Sequence, residues 1–140
     1  MKKNLTLKKL SLLATLLIVL IMSCNAQNEI KLDGPKINFS TLEHNFDTIV
    51  KNSDGCCSFE FFNDGTEPLI ITSAFSSCGC TVPSWSQKPI MPGEKGTIGV
   101  KYNTEKEGDF QKLIIVKSNS VEKPKSILRI KGVVVKDIRN

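Results

Sequence analysis

The chain has little of what protein chemistry usually runs on: one histidine, one tryptophan and one tyrosine in 140 residues. His44 precedes Asn45-Phe46 in a β-rich stretch, and no spacing of nucleophiles or carboxylates around it declares a catalytic constellation, so it reads as a surface or turn residue. Nucleophile elbows, phosphate loops, zincin helices and glycine-rich dinucleotide motifs are all missing. The expectation is therefore a protein that is not an enzyme and needs no cofactor. Only a hydrolase site assembled from residues distant in sequence would leave no such trace. No helical period runs from residue 37 to residue 138, and neither repeats nor low-complexity segments are visible. Beyond residue 23 no cluster of Lys and Arg with interleaved aromatics occurs, which argues against a nucleic-acid partner.

What is present begins with an address. Lys2, Lys3, Lys8 and Lys9 precede an almost wholly apolar run, residues 10–22, in the order of a secretory signal. A helix of about 13 residues rises only about 20 Å, short of the roughly 20 residues a bilayer core requires. The run ends in Ile21-Met22-Ser23-Cys24, which resembles the lipobox of bacterial lipoprotein precursors, although Met22 is not the small residue usual there. That resemblance implies a signal peptide over residues 1–23, cleavage after Ser23 and lipid on Cys24, a membrane anchor of two or three acyl chains. Removing residues 1–23 takes four of the 19 basic residues and none of the 14 acidic ones, so the formal charge falls from +5 to about +1. The basic character of the chain is mostly its targeting signal. Asn25 follows the anchor where enteric lipoproteins kept at the inner membrane carry Asp, so outer membrane is the preferred location within the cell envelope.

Residues 24–36 are polar, include the turn signal Asp33-Gly34-Pro35, and read as a flexible tether. Short β-rich runs follow over residues 37–138: 37–39 with 45–49, then 56–62, 69–75, 96–102, 110–117 and 127–135. Their spacing predicts an all-β, antiparallel sandwich of about seven strands. Residues two apart share a face, so the expected inward sets are Phe59 and Phe61; Leu69, Ile71 and Phe75; Ile98, Val100 and Tyr102; Phe110, Ile114 and Val116; and Leu128, Ile130 and Val134. Residues 63–68 read as a hairpin connection and Met91-Pro92-Gly93-Glu94 as a turn.

Five motifs then fall in order: Phe46-Asp47-Thr48-Ile49, Phe61-Phe62-Asn63-Asp64-Gly65, Ser77-Cys78-Gly79-Cys80-Thr81, Pro89-Ile90-Met91-Pro92-Gly93-Glu94 and Gly108-Asp109-Phe110-Gln111-Lys112. Together they resemble the DUF1573 family from about Phe39 to Val135. The resemblance implies an immunoglobulin-like sandwich related to the ASH and major-sperm-protein-like domains, in bacterial secreted proteins or lipoproteins of unknown function. Two departures stand out. The family commonly has Gly after the aromatic of the first motif, where this chain has Asp47, and its second strand usually lacks the cysteines found here at 56 and 57.

With Cys24 assigned to lipid, Cys56, Cys57, Cys78 and Cys80 remain, an even number outside the cytoplasm. Antiparallel pairing across the 63–68 hairpin would set the start of the Cys56 strand beside residues 75–78 and gather all four thiols at one end. Alternation turns Cys57 inward with Phe59 and Phe61, and Cys56 outward with Ser58 and Glu60. Three uses compete. One or two disulfides, cross-paired because Cys56-Cys57 and Cys78-Gly79-Cys80 would close very small rings, would stabilise the domain by about 2 to 4 kcal/mol each. A thiol-redox site at a loop tip is the second, although Cys-x-x-Cys and a βαβ context are lacking. A soft-metal site for Cu or Zn is the third.

Trp85 follows the cysteine loop and is either an anchor for a protein or sugar partner or a ring folded over the core. Asp47-Thr48-Ile49 has the form of an extracytoplasmic O-glycosylation acceptor at Thr48. The functional expectation is a lipid-anchored binding or scaffolding module of the cell envelope with an envelope protein or glycan as partner. The rival is an envelope thiol-redox or Cu/Zn protein.

Overall fold

The computed structural model describes residues 33–137. The expected signal peptide, Cys24 and most of the expected tether lie outside the described residues. Eight strands form two sheets, and no helix occurs among the described residues. In chain order they are β1 (Ile37–Phe39), β2 (Glu43–Val50), β3 (Cys56–Asn63), β4 (Ile71–Ser76), β5 (Thr81–Trp85), β6 (Lys95–Tyr102), β7 (Gly108–Ser118) and β8 (Lys125–Val135). The first sheet has the order β1-β3-β6-β5 and the second β2-β8-β7-β4. All pairings are antiparallel except β2 with β8, which is parallel.

The alternation read from the sequence produces the core. Phe59, Phe61, Ile98, Val100 and Tyr102 of the first sheet face Ile114, Val116, Leu128, Ile130 and Val134 of the second, all buried. Each such side chain removed from water contributes about 1.5 to 3 kcal/mol. The rings of Tyr102 and Phe110 stack between the sheets with centroids 3.9 Å apart. Gly96 stands opposite Phe61, where a Cβ would lie 2.4 Å from the phenyl ring, so this position is small because the ring occupies its space.

Three expectations are corrected. Phe75 is exposed: the β4–β7 ladder shifts register between Ile71 and Ser73, and the extra residue turns Ala74 inward and Phe75 outward. Residues 81–85, left out of the expected β-rich runs, form β5; Pro83 is tolerated because β5 is an edge strand. Residues 63–68 are not a hairpin, since β3 pairs with β1 and β6 while β4 pairs with β7 in the other sheet.

The side chain of Asn63 explains the crossing. Fully buried, it donates to the carbonyls of Glu67 (2.7 Å) and Ile90 (2.9 Å) and accepts from the amides of Gly65 (3.0 Å) and Lys36 (3.2 Å). Those four bonds fill the capacity of a carboxamide and hold residues 63–68 as an arch between the sheets. The 91–94 turn forms as expected, with Gly93 at φ 80° and its amide donating to the carbonyl of Asn63.

Candidate functional site

The first sheet ends in a cluster of sulfur and polar backbone. β3 begins at Cys56, β6 ends at Tyr102 and β5 begins at Thr81, so these three strands present their ends together. All four cysteines of the described residues stand at this end, as the sequence led us to expect, but by a different route. β6 lies between the two pairs: Cys56 is opposite Lys101, and Lys101 is opposite Val82. Strand spacing of about 4.8 Å makes two strand steps nearly 10 Å, beyond the roughly 7 Å limit for a disulfide. The expected cross-pairing is therefore replaced by a local bond, Cys78–Cys80. Its Cα separation of 5.3 Å lies within the preferred range, because the turn at Gly79 folds the two residues toward each other. A loop this short gives the bond little purchase on the unfolded chain.

The turn has its own backbone support. Thr81 N donates to Cys78 O at 3.4 Å and Asn103 N donates to Cys80 O at 2.8 Å. Thr81 is buried, and its hydroxyl lies 3.7 Å from Cys78 Sγ and 3.9 Å from Cys80 Sγ. Beside the disulfide a cleft of 660 Å³ opens, lined by the β2–β3 loop, Gly79, Cys80, Val82, Tyr102 and the residues after β6. Its walls are stitched together by Thr104, whose hydroxyl donates to Ser53 O at 2.7 Å and whose carbonyl accepts from Asn52 N. Asp54, Lys101 and Glu105 give the cleft charges of both signs.

Cys56 and Cys57 are free thiols. Cys56 points outward and its thiol is raised above the usual range, first by its hydrogen bond with Asp54 and then by desolvation. Cys57 points inward, half-buried against the core, and burial pushes its thiol up to about 11. Neither is a ready thiolate near neutral pH. Among the described residues no group of three or more His, Cys, Asp and Glu side chains is placed to hold a metal ion.

The remaining candidates are dispersed. Trp85 ends β5 half-buried against the core, and its Nε1 donates to Ile71 O at 3.2 Å, so its polar edge is turned inward. His44 lies on β2 with its ring edge-on to Phe46 at 4.5 Å. Thr48 is exposed on the same strand. Asp47, beside it, has φ 52°, the left-handed conformation a glycine adopts freely. Asn45 holds it there, its Oδ1 accepting from Asp47 N at 3.0 Å and its Nδ2 donating to Asp47 Oδ1 at 2.6 Å. Asp47 thus takes a backbone conformation that glycine adopts freely, at the position where the family resemblance implies glycine.

One surface went unread in the sequence. On the outer face of the second sheet, Phe75, Ile115 and Ile127 align in register across β4, β7 and β8, with Leu113 adjacent. Phe75, Leu113 and Ile127 are 43%, 40% and 49% exposed. Lys117 lies over the Phe75 ring at 5.7 Å and is paired in register with Lys125. Alternation on β7 and β8 turns Leu113, Ile115 and Ile127 outward, and the register shift in β4 adds Phe75 to them.

The DUF1573 family, proteins of unknown function, matches residues 37–134. The chain belongs to that family. No curated protein matches the sequence. Among solved structures, this DUF1573 domain is similar to a protein of unknown function from Porphyromonas gingivalis W83, with TM-score 0.64 and 13% identity over 78% of this chain and 51% of that one. The chain thus spans about half the length of that protein. It is also similar to the ASH/PapD-like domain 7 of human CEP192, with TM-score 0.57 and 11% identity over 73% of this chain and 87% of that domain. The VesB protease of Vibrio cholerae matches with TM-score 0.58 and 14% identity over 70% of this chain and 32% of its own. At these identities the likeness shows the fold, an immunoglobulin-like sandwich of the ASH/PapD kind.

Proposed function

We propose that this DUF1573 protein is a lipid-anchored, non-catalytic binding or scaffolding module of the cell envelope, and that it engages its partner through the outer face of the β2-β8-β7-β4 sheet. The observation that carries the reading is the row of exposed Phe75, half-buried Ile115 and exposed Ile127, with exposed Leu113 beside it. A contiguous apolar patch on a small domain marks an interaction surface. Lys117 and Lys125 border the row, whereas Arg129 and Lys131 are occupied by Glu43. The complementary partner is an envelope protein with an apolar centre and an acidic rim. The lipobox-like segment ending at Cys24 and the polar stretch that follows support a tether that holds this face within reach of the membrane. Thr48 is exposed and accessible to a glycosylating enzyme, a modification that intact mass would reveal.

The test is photocross-linking in intact cells with a photoreactive residue at Ile127. One recurring envelope protein is expected, and Phe75→Glu should abolish the adduct without changing the melting temperature. Repeated recovery of no envelope protein would overturn the docking face. Cys24→Ser should move the protein from the membrane to the soluble fraction, and an unchanged membrane fraction would remove the anchor.

A further inference from the structure

The Cys78–Cys80 disulfide spans residues only two apart, and the turn that holds it has backbone bonds of its own from Thr81 and Asn103. The bond therefore ties together nothing that would otherwise separate. It is placed instead where chemistry can reach it. Cys80 and Gly79 line the cleft, and the space where a side chain at Gly79 would stand is open, with no atom within 4 Å. Behind the bond, the buried Thr81 hydroxyl faces both sulfurs, closer to Cys78.

We propose that Cys78–Cys80 is a thiol-exchanging disulfide, attacked at Cys80 through the cleft by a thiolate of a partner dithiol, with Thr81 as the positioning residue for the departing Cys78 sulfur. In the first step the partner thiolate forms a bond to Cys80 Sγ, the Sγ–Sγ bond breaks, and its electron pair leaves on Cys78 as a thiolate. The Thr81 hydroxyl donates to that thiolate, which then takes a proton from solvent. In the second step the partner's other thiolate attacks its own sulfur in the mixed disulfide and releases Cys80 as a thiolate, which is protonated in turn. The net change is two electrons and two protons from the partner dithiol, which becomes a disulfide, to Cys78 and Cys80, which become thiols.

Cys56 and Cys57 take no part, being held on the far side of β6 with Cys57 half-buried. The exchange site lies at the end of the first sheet, apart from the outer face of the second, and stands independently of the docking proposal.

The experiment uses the full-length protein purified under air, with its free thiols first blocked by N-ethylmaleimide. The folded protein is treated with dithiothreitol, and newly freed thiols are alkylated and located by peptide mass spectrometry. Cys78 and Cys80 should gain label while the circular dichroism of the folded state persists. Limiting glutathione should leave its adduct on Cys80. Thr81→Val should slow reduction about tenfold, the lower end of the worth of one hydrogen bond to a thiolate, and Thr81→Ser should restore the rate. Labelling that requires denaturant would overturn the exchange site. An adduct on Cys78 would overturn the direction of attack, and an unchanged rate in Thr81→Val would overturn the role of the hydroxyl.

Discussion

The indole nitrogen of Trp85 donates to the carbonyl of Ile71 across 3.2 Å and thereby joins the last residue of β5, at one edge of the first sheet, to the first residue of β4, at one edge of the second. Trp85→Phe keeps much of the ring and loses the bond, so it should cost about 1 kcal/mol in urea unfolding. Hydrogen exchange should rise in β4 and stay unchanged in β8.

Asn63 carries a larger share. Its carboxamide is fully buried and makes four hydrogen bonds, so Asn63→Leu takes the side-chain partner from the Glu67 carbonyl and from the amides of Gly65 and Lys36, while the Ile90 carbonyl keeps its bond from Leu69 N. The expected loss is roughly 3 kcal/mol. Asp64→Ala, which removes only an exposed bond to Asn38, should cost well under about 1 kcal/mol. Equal losses in the two variants would show that the arch does not depend on the buried side chain.

The left-handed backbone at Asp47 separates two substitutions that otherwise look alike. Asp47→Gly should be neutral to within about 0.5 kcal/mol, since glycine adopts this conformation freely and loses only the link to Asn45. Asp47→Val should cost at least about 1 kcal/mol, because a β-branched residue meets the full left-handed penalty. Thermal melting of the two variants distinguishes these outcomes.

The thiol of Cys57 gives a pH dependence of known sign. Its ordinary value of 9.0 is raised to about 11 by burial, with the neighbouring Cys56 charge adding to the effect. Between those values the unfolded chain has released a proton that the folded chain keeps, so stability is fully present below 9 and is lost as pH rises toward 11. Tyr102, also raised by burial, steepens the fall above pH 10. Cys57→Ala should flatten the decline between pH 9 and 10 in chemical denaturation, and a slope identical to that of the parent would remove Cys57 as its source.

How much of this was legible depends on which rule each residue obeys. The inward sets of β3, β6, β7 and β8 followed from alternation alone, because Phe59, Ile98, Ile114 and Leu128 sit on strands whose phase never slips. Phase failed at Phe75, where one inserted residue reverses it. Sheet assignment failed at residues 63–68 because a hairpin and an arch use the same turn residues. What distinguishes them is the burial of Asn63, a tertiary property. β5 was hidden by Pro83, which breaks a strand pattern everywhere except at an edge. The sulfur-rich end was readable as a place, but its pairing was not, since that depended on β6 inserting between Cys56 and Val82. The outer row of the second sheet was half legible: alternation turns Leu113, Ile115 and Ile127 outward, and only Phe75 needed the β4 shift to join them.

All four sheet edges are interrupted. β1 is three residues long, β5 contains Pro83, β2 is bent at Asp47, and β4 slips register after Ile71. Continuous edges would let neighbouring copies zip into a growing sheet. Here strand addition has no straight ladder to copy. What the domain offers a neighbour is its faces, not its borders.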